Sequence, residues 1–433
     1  MPTYLCNLLL VSLIFFLCIS IVAEAIVPSS KTFKFINEGD YSDFDETSVE
    51  YYFRFLDPLH LSRENPFGLG FCNPEHDSWT FGIFMGGSSI PTRWVWEANR
   101  GNPVGENASL SFGTDGNLVL RDTKGSLAWQ TGTANKGVVG MELLQNGNLV
   151  LVNKQGRFVW QSFDHPTDTL LVGQGLYLGG VNKLTSRYGG YSFVVEKNRY
   201  ALYLNSKNSR KPLPYYAFEF NHPIGKAQEN MSSPSLVFRS LYVYGYLLTL
   251  DSWADTSVLG TSQVINTTLS MFRLESDGNI RVYTYSQKFR WDPWVTMYTL
   301  FGGSSGRDEC SWPSKCGSLG VCGDDGQCVG CPTPKGWSWW SRSCAPPKLP
   351  RCGGRPYNVT YYRVDGVQHF TQSYSGGEGP MKIGKCRDMC TEDCGCLGFF
   401  FEKERSLCLL APELRTLTKT SNPSFVGYIK ISL

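Results

Sequence analysis

Residues 116–131 read GNLVLRDTKGSLAWQT and residues 147–162 read GNLVLVNKQGRFVWQS. The stretches lie 31 positions apart and share the Gly-Asn-Leu-Val-Leu start, an internal Gly and the closing Trp-Gln. A period of that size marks one supersecondary unit used repeatedly. Trp96 extends the ladder, because Trp96, Trp129 and Trp160 fall at spacings of 33 and 31. In each unit a turn signal, Asp115-Gly116 or Asn146-Gly147, precedes alternating apolar residues, which is a hairpin pattern. A hairpin cannot bury its apolar face alone, so the units are expected to close around a shared core filled by the three tryptophans.

The first 25 residues are expected to be a signal peptide, since Leu8–Val22 is almost wholly apolar and Ala23-Glu24-Ala25 resembles a cleavage site. The stretch departs from the usual pattern in having no Lys or Arg before its apolar run, and a retained anchor is the alternative. No later run of 18 apolar residues exists, so a secreted chain without a membrane anchor is expected. About 408 residues remain with a formal charge near +3, which suggests two to four domains and no clustered basic footprint for nucleic acid. Abundant aromatics with Asn-Gly and Asp-Gly turns favour strands. Removing Cys6 and Cys18 leaves 13 cysteines, and 12 of them crowd into the last third of the chain. In a secreted protein that clustering means disulfides. Four sequons, at Asn107, Asn230, Asn266 and Asn358, fit the same compartment as N-glycosylation sites.

The organisation follows from these shifts. Residues 29–166 hold the repeats and one cysteine, Cys72. Residues 170–301 remain β-like and repeat the motif as Asp277-Gly278-Asn279-Ile280, which reads as a diverged second copy. Residues 309–346 form a compact cysteine module, expected to depend on its bridges because it has little room for a core. Residues 352–433 form a last module, where Cys386–Cys396 has near-helical spacing before the strand-like Leu397-Gly-Phe-Phe-Phe. A helix stapled to a sheet is the simplest reading.

The stretches Arg93-Trp-Val-Trp-Glu-Ala-Asn-Arg-Gly-Asn-Pro, Asp115-Gly-Asn-Leu-Val-Leu and Trp160-Gln-Ser-Phe-Asp-His-Pro-Thr-Asp-Thr-Leu-Leu resemble the plant bulb-type lectin domain. The version in S-locus glycoproteins and secreted epidermal glycoproteins is the most similar, over the whole mature chain. The resemblance implies a mainly β protein with two β-prism domains, an EGF-like module and a PAN (apple-like) domain. The transmembrane helix and kinase of the related receptors are not seen here, so a secreted relative is expected. The resemblance further implies the bridges Cys310–Cys322, Cys316–Cys328, Cys331–Cys344, Cys386–Cys408 and Cys390–Cys396, with Cys352–Cys394 as the remaining pair. Cys72 is then left over, and is expected to be buried as a small hydrophobe; a thiol joining two chains is the alternative.

Bulb lectins hold mannose through Gln-x-Asp-x-Asn-x-Val-x-Tyr, whose polar groups bind sugar hydroxyls while Val packs on the ring. The candidate positions are Asp115, Asn117 and Val119 in one copy and Asn146, Asn148 and Val150 in the next. In the second domain they are Asp277, Asn279 and Tyr283, with Arg281 where Val belongs. A further trace, Glu75, Asp77, Trp79, Phe81 and Ile83, is barely recognisable. No copy is intact: Gly113 and Arg121 stand for Gln and Tyr in the first, Leu144 and Val152 in the next. Two lost hydrogen bonds at about 1 kcal/mol each weaken binding roughly 30-fold. The competing reading is that these Asp and Asn residues serve turn geometry.

Other motifs point away from chemistry. Cys328-Val-Gly-Cys331 matches a redox pattern, and the Cys386–Cys396 run could suggest a metal, yet both sit in a compartment that favours bridges. Gly302-Gly-Ser304-Ser-Gly306 fits a nucleophile elbow literally, but in a Gly/Ser linker without the required strand and helix. His60, His76, His165, His222 and His369 lie far apart, and His165 suits a structural hydrogen bond. The expected protein is not an enzyme, uses no cofactor or metal, and acts in the plant cell wall or apoplast. Its expected partners are glycans or glycoproteins, with protein partners for the EGF-like and PAN modules; a structural surface-coat protein or protein-interaction module with no sugar binding is the rival, and a glycan-processing enzyme is a third class with no motif behind it.

Overall fold

The computed structural model describes residues 26–39, 52–59, 65–75, 78–86, 92–219, 235–239, 249–252, 255–258, 269–285, 294–302, 308–350 and 358–433. They are mainly β and divide into two compact units, residues 1–165 and 166–433.

Among its described residues the first unit contains eleven strands: β1 (Phe33–Ile36), β2 (Tyr52–Leu56), β3 (Phe67–Glu75), β4 (Ser78–Met85), β5 (Arg93–Glu97), β6 (Ser109–Phe112), β7 (Leu118–Arg121), β8 (Leu127–Gln130), β9 (Val138–Leu143), β10 (Leu149–Asn153) and β11 (Phe158–Gln161). They build three antiparallel sheets, ordered β1-β6-β7-β8, β2-β3-β4-β5 and β9-β10-β11. The repeated Asp/Asn-Gly pairs make the tight β6–β7 and β9–β10 turns. Gly116 has φ +77°, and a Cβ there would stand 2.6 Å from Val138 Cβ, so only glycine fits that turn.

Trp96 on β5, Trp129 on β8 and Trp160 on β11 each come from a different sheet and meet as a triangle. All three centroid separations are 5.9 Å, with interplanar angles of 68–74°. Edge-to-face contact of this kind adds to area burial. Trp96 is buried, whereas Trp129 and Trp160 are half-buried, so the triangle closes one side of the core and does not fill it. Trp79, Phe71, Phe81, Ile83, Leu110 and Leu120 supply the fully buried interior.

The second unit begins with another three four-stranded sheets. One joins 169–171, 270–274, 280–285 and 294–299; a second joins 183–185, 191–195, 199–204 and 213–219; the third joins 175–177, 235–239, 249–252 and 255–258. Their shared core is Tyr/Phe/Leu-rich, around Tyr191, Phe193, Tyr215, Phe272 and Phe301. Tyr215, fully buried, donates to Gly278 O at 2.5 Å.

The cysteine-rich part of this unit holds a feature invisible in the linear modules. Leu319–Cys322 pairs in parallel with Arg415–Lys419, from nearly 100 residues further along the chain. The resulting five-stranded sheet runs 336–338, 328–333, 319–322, 415–419, 367–369. Leu319 and Val321 thereby enter a core with Val364, Phe400, Leu417 and Ile429. The cysteine module therefore borrows a hydrophobic core from the last module in addition to its bridges. Opposite lies a second sheet, 359–365, 425–432, 398–402 and 407–411, against which the helix Ile383–Glu392 packs. Lys430, 1% exposed, donates from Nζ to Cys390 O at 2.5 Å and Asp393 O at 3.0 Å, placing a cation at that helix's C-terminus. Burial lowers its pKa, against the attraction of Asp393.

The bonded cysteines are Cys310–Cys322, Cys316–Cys328, Cys331–Cys344, Cys386–Cys408 and Cys390–Cys396. Cys394 is disulfide-bonded too, and Cys352 lies outside the described residues. Cys72 is a fully buried thiol on β3, its Sγ 2.9 Å from Thr80 Oγ1.

Candidate carbohydrate site

The three copies of the sugar-type motif sit at the same place in their hairpins, and each copy belongs to a separate sheet. The first two lie in the first unit and the third in the second. In the first copy Asp115, exposed in the turn, accepts from Asn117 N at 3.1 Å. Asn117 is 6% exposed, and both ends of its amide are engaged. Nδ2 donates to Gln130 Oε1 at 2.9 Å, while Oδ1 accepts from Thr131 Oγ1 at 3.0 Å and Thr133 N at 3.1 Å. Val119 is half-buried, and Arg121 turns away to donate to Gly125 O.

The next copy repeats this geometry. Asn146 accepts from Asn148 N at 3.1 Å, and Asn148 Nδ2 donates to Gln161 Oε1 at 2.8 Å. Asn148 Oδ1 accepts from Ser162 Oγ and Phe163 N, both at 3.2 Å. Val150 is fully buried and so cannot pack on a sugar ring.

In the second unit Asp277 again accepts from the backbone, Asn279 N, at 2.8 Å. Asn279, fully buried, clamps a single residue: Nδ2 donates to Phe301 O at 2.8 Å and Oδ1 accepts from Phe301 N at 3.0 Å. Arg281 pairs with Asp277 Oδ2 at 2.8 Å, and Tyr283 OH donates to Glu275 Oε1 at 2.7 Å. The polar ends of this copy thus satisfy one another. Of the fainter trace, Trp79, Phe81 and Ile83 are core residues; Asp77 and the Glu75 side chain lie outside the described residues.

Gln130 and Gln161 were not among the candidates, although the signal was available. Each closes the repeated Trp-Gln and stands 13 residues after its Asn. The long family-type runs have structural work as well. Asn99 Oδ1 accepts from Phe81 N at 2.8 Å and its Nδ2 donates to Trp79 O at 3.2 Å. His165 stacks on Trp160 at 5.4 Å, and its carbonyl accepts from Trp96 Nε1 at 2.8 Å. Of the sequons, Asn107 and Asn358 are exposed; Asn230 and Asn266 lie outside the described residues. No group of His, Cys, Asp and Glu able to hold a metal occurs among the described residues. Among them, no helix is long and apolar enough to cross a membrane.

The family profile described as D-mannose binding lectin matches residues 93–188, so a bulb-type lectin domain lies in this chain. Full-length relatives are closer still. EP1-like glycoprotein 4 of Arabidopsis thaliana is 42% identical, covering 97% of this chain and 96% of its own length. The epidermis-specific secreted glycoprotein EP1 of Daucus carota is 43% identical over 83% of this chain and 97% of its own. A PAN domain-containing protein of Arabidopsis thaliana is 25% identical over 86% of this chain and 74% of its own. The chain belongs to the EP1-like family of plant glycoproteins.

Proposed function

We propose that this protein is secreted into the plant cell wall or apoplast, where it binds glycans or glycoproteins on a lectin scaffold without using the mannose motif. The observation that carries this reading is the internal commitment of Asn117, Asn148 and Asn279. To reach a sugar hydroxyl, each amide would first break two or more hydrogen bonds made below the surface, and an unsatisfied buried polar group costs about 1–3 kcal/mol. Of the candidate residues Asp115, Asn117, Val119, Asn146, Asn148 and Val150, only Asp115, Asn146 and the flank of Val119 offer surface, beside the exposed Arg121, and we assign any residual glycan contact there. The four sequons carry N-glycans in this reading, and the carrot relative named as a secreted glycoprotein supports secretion.

The same self-satisfied hairpins also suit a structural coat protein with no sugar ligand. A glycan array with the mature protein separates the two. Binding to glycans other than terminal mannose is expected, together with passage through a mannose column. A blank array favours the coat protein, and retention released by free mannose overturns the proposal.

A further inference from the structure

The last module carries an open trough to which no lectin-type hairpin residue contributes. Its rim is the segment from Pro380 into the helix Ile383–Glu392, faced by Lys403 and Ser406, with Phe401 beneath. Three ammonium groups line it, Lys382, Lys385 and Lys403, against one carboxylate, Asp388. That carboxylate also faces Arg387 at 3.3 Å, so four cations outnumber it. Lys403 Nζ is steadied by donating to Pro423 O at 2.8 Å. Lys382 and Lys385 are exposed, with no acidic partner among the described residues. Between the charges lies apolar surface from Met381 and from Ile383, which is 39% exposed.

The backbone beside the trough restricts what can bind. The strand Leu407–Ala411 is the outer strand of its sheet, and an open edge there would accept a peptide as an added strand. Beside the trough that edge is covered at Ser406 and Cys408: Glu378 N donates to Cys408 O at 2.7 Å, Cys408 N donates to Glu378 O at 2.8 Å, and Met381 N donates to Ser406 O at 2.8 Å. A ligand must therefore be read by charge and by flat apolar contact. A linear polysaccharide with carboxylates on its rings offers both, its anions meeting the ammonium groups and its ring faces lying on Met381 and Ile383. We propose that this trough binds an anionic, uronate-type polysaccharide, a site separate from the lectin-type hairpins.

The test is direct binding of the full mature protein to an immobilised polyuronate. The comparators are the same polymer with its carboxyls methyl-esterified, and poly-glutamate. The free-acid polymer should bind, weakening with salt, and the ester should bind about tenfold less. The variant Lys382→Glu/Lys385→Glu should lose about tenfold or more. Acidic residues in a helix's first turn stabilise it, so the melting temperature should hold or rise while binding falls. The glycan-array pattern of this variant should stay unchanged, which keeps this test apart from the one above. No binding to the free acid, undiminished binding by the variant, or equal binding of poly-glutamate would each overturn the proposal.

Discussion

The two compact units hold β-sheets together by different means. In the first unit, sheets from three hairpin groups are pinned by the Trp96–Trp129–Trp160 triangle, with Cys72 kept as a buried thiol and no bridge among the described residues. In the second, three sheets close on Tyr and Phe, and the chain then continues into bridged modules that share one sheet. The motif Asp/Asn-Gly-Asn survives in both. Its Asp or Asn shapes the turn and its second Asn clamps the strand that follows, so the positions kept from the sugar motif are those the hairpin needs. Those that vary, such as Gly113, Arg121 and Arg281, are ones it can do without.

The largest expected effect tests the aromatic closure. Trp96→Ala removes a buried corner of the triangle and the hydrogen bond to His165 O, and should cost about 3–5 kcal/mol. Calorimetry should show the first unit melting earlier with the second unaffected. A cost below about 1 kcal/mol would show the triangle to be decorative.

Acid should discriminate in the opposite sense. His369, 2% exposed, accepts at Nδ1 from Thr371 N at 3.3 Å, which leaves Nε2–H to donate to Glu413 O at 2.7 Å. Burial lowers its pKa from 6.5 to about 4, outweighing the Glu413 carbonyl, which favours the charged form. The folded pKa lies below the unfolded one, so this contribution is complete above pH 6.5 and is lost as pH falls towards 4. The loss amounts to about 3 kcal/mol. The unfolding free energy of the second unit, from denaturant titrations at each pH, should fall across that window, and His369→Gln should flatten this pH dependence. An unchanged slope in the variant would remove His369 from the account.

The smallest effect compares the clamps themselves. Asn279→Ala strands two backbone groups of Phe301 that cannot turn to water, and should cost about 2–3 kcal/mol. Asn117→Ala should cost about 1–2 kcal/mol, because it strands one buried backbone group, Thr133 N, while Gln130 is exposed and can rehydrate. The reverse order in chemical denaturation would break the comparison.

Much of this was legible without coordinates. The 31-residue period, the Asp-Gly and Asn-Gly turns and the tryptophan ladder already imply hairpins closing on aromatic residues, because turn chemistry and alternation are local. The near-helical cysteine spacing likewise announces the helix Ile383–Glu392 against its sheet. The degree of burial was less legible: Trp129 and Trp160 face outward more than core fillers would. Tertiary structure alone decided whether Asn117, Asn148 and Asn279 face a ligand or the protein, since a hydrogen bond depends on distances of a few tenths of an ångström that no residue pattern encodes. It also decided the parallel pairing of Leu319–Cys322 with Arg415–Lys419, because strands so distant in sequence share no period and are matched only by the core they bury together.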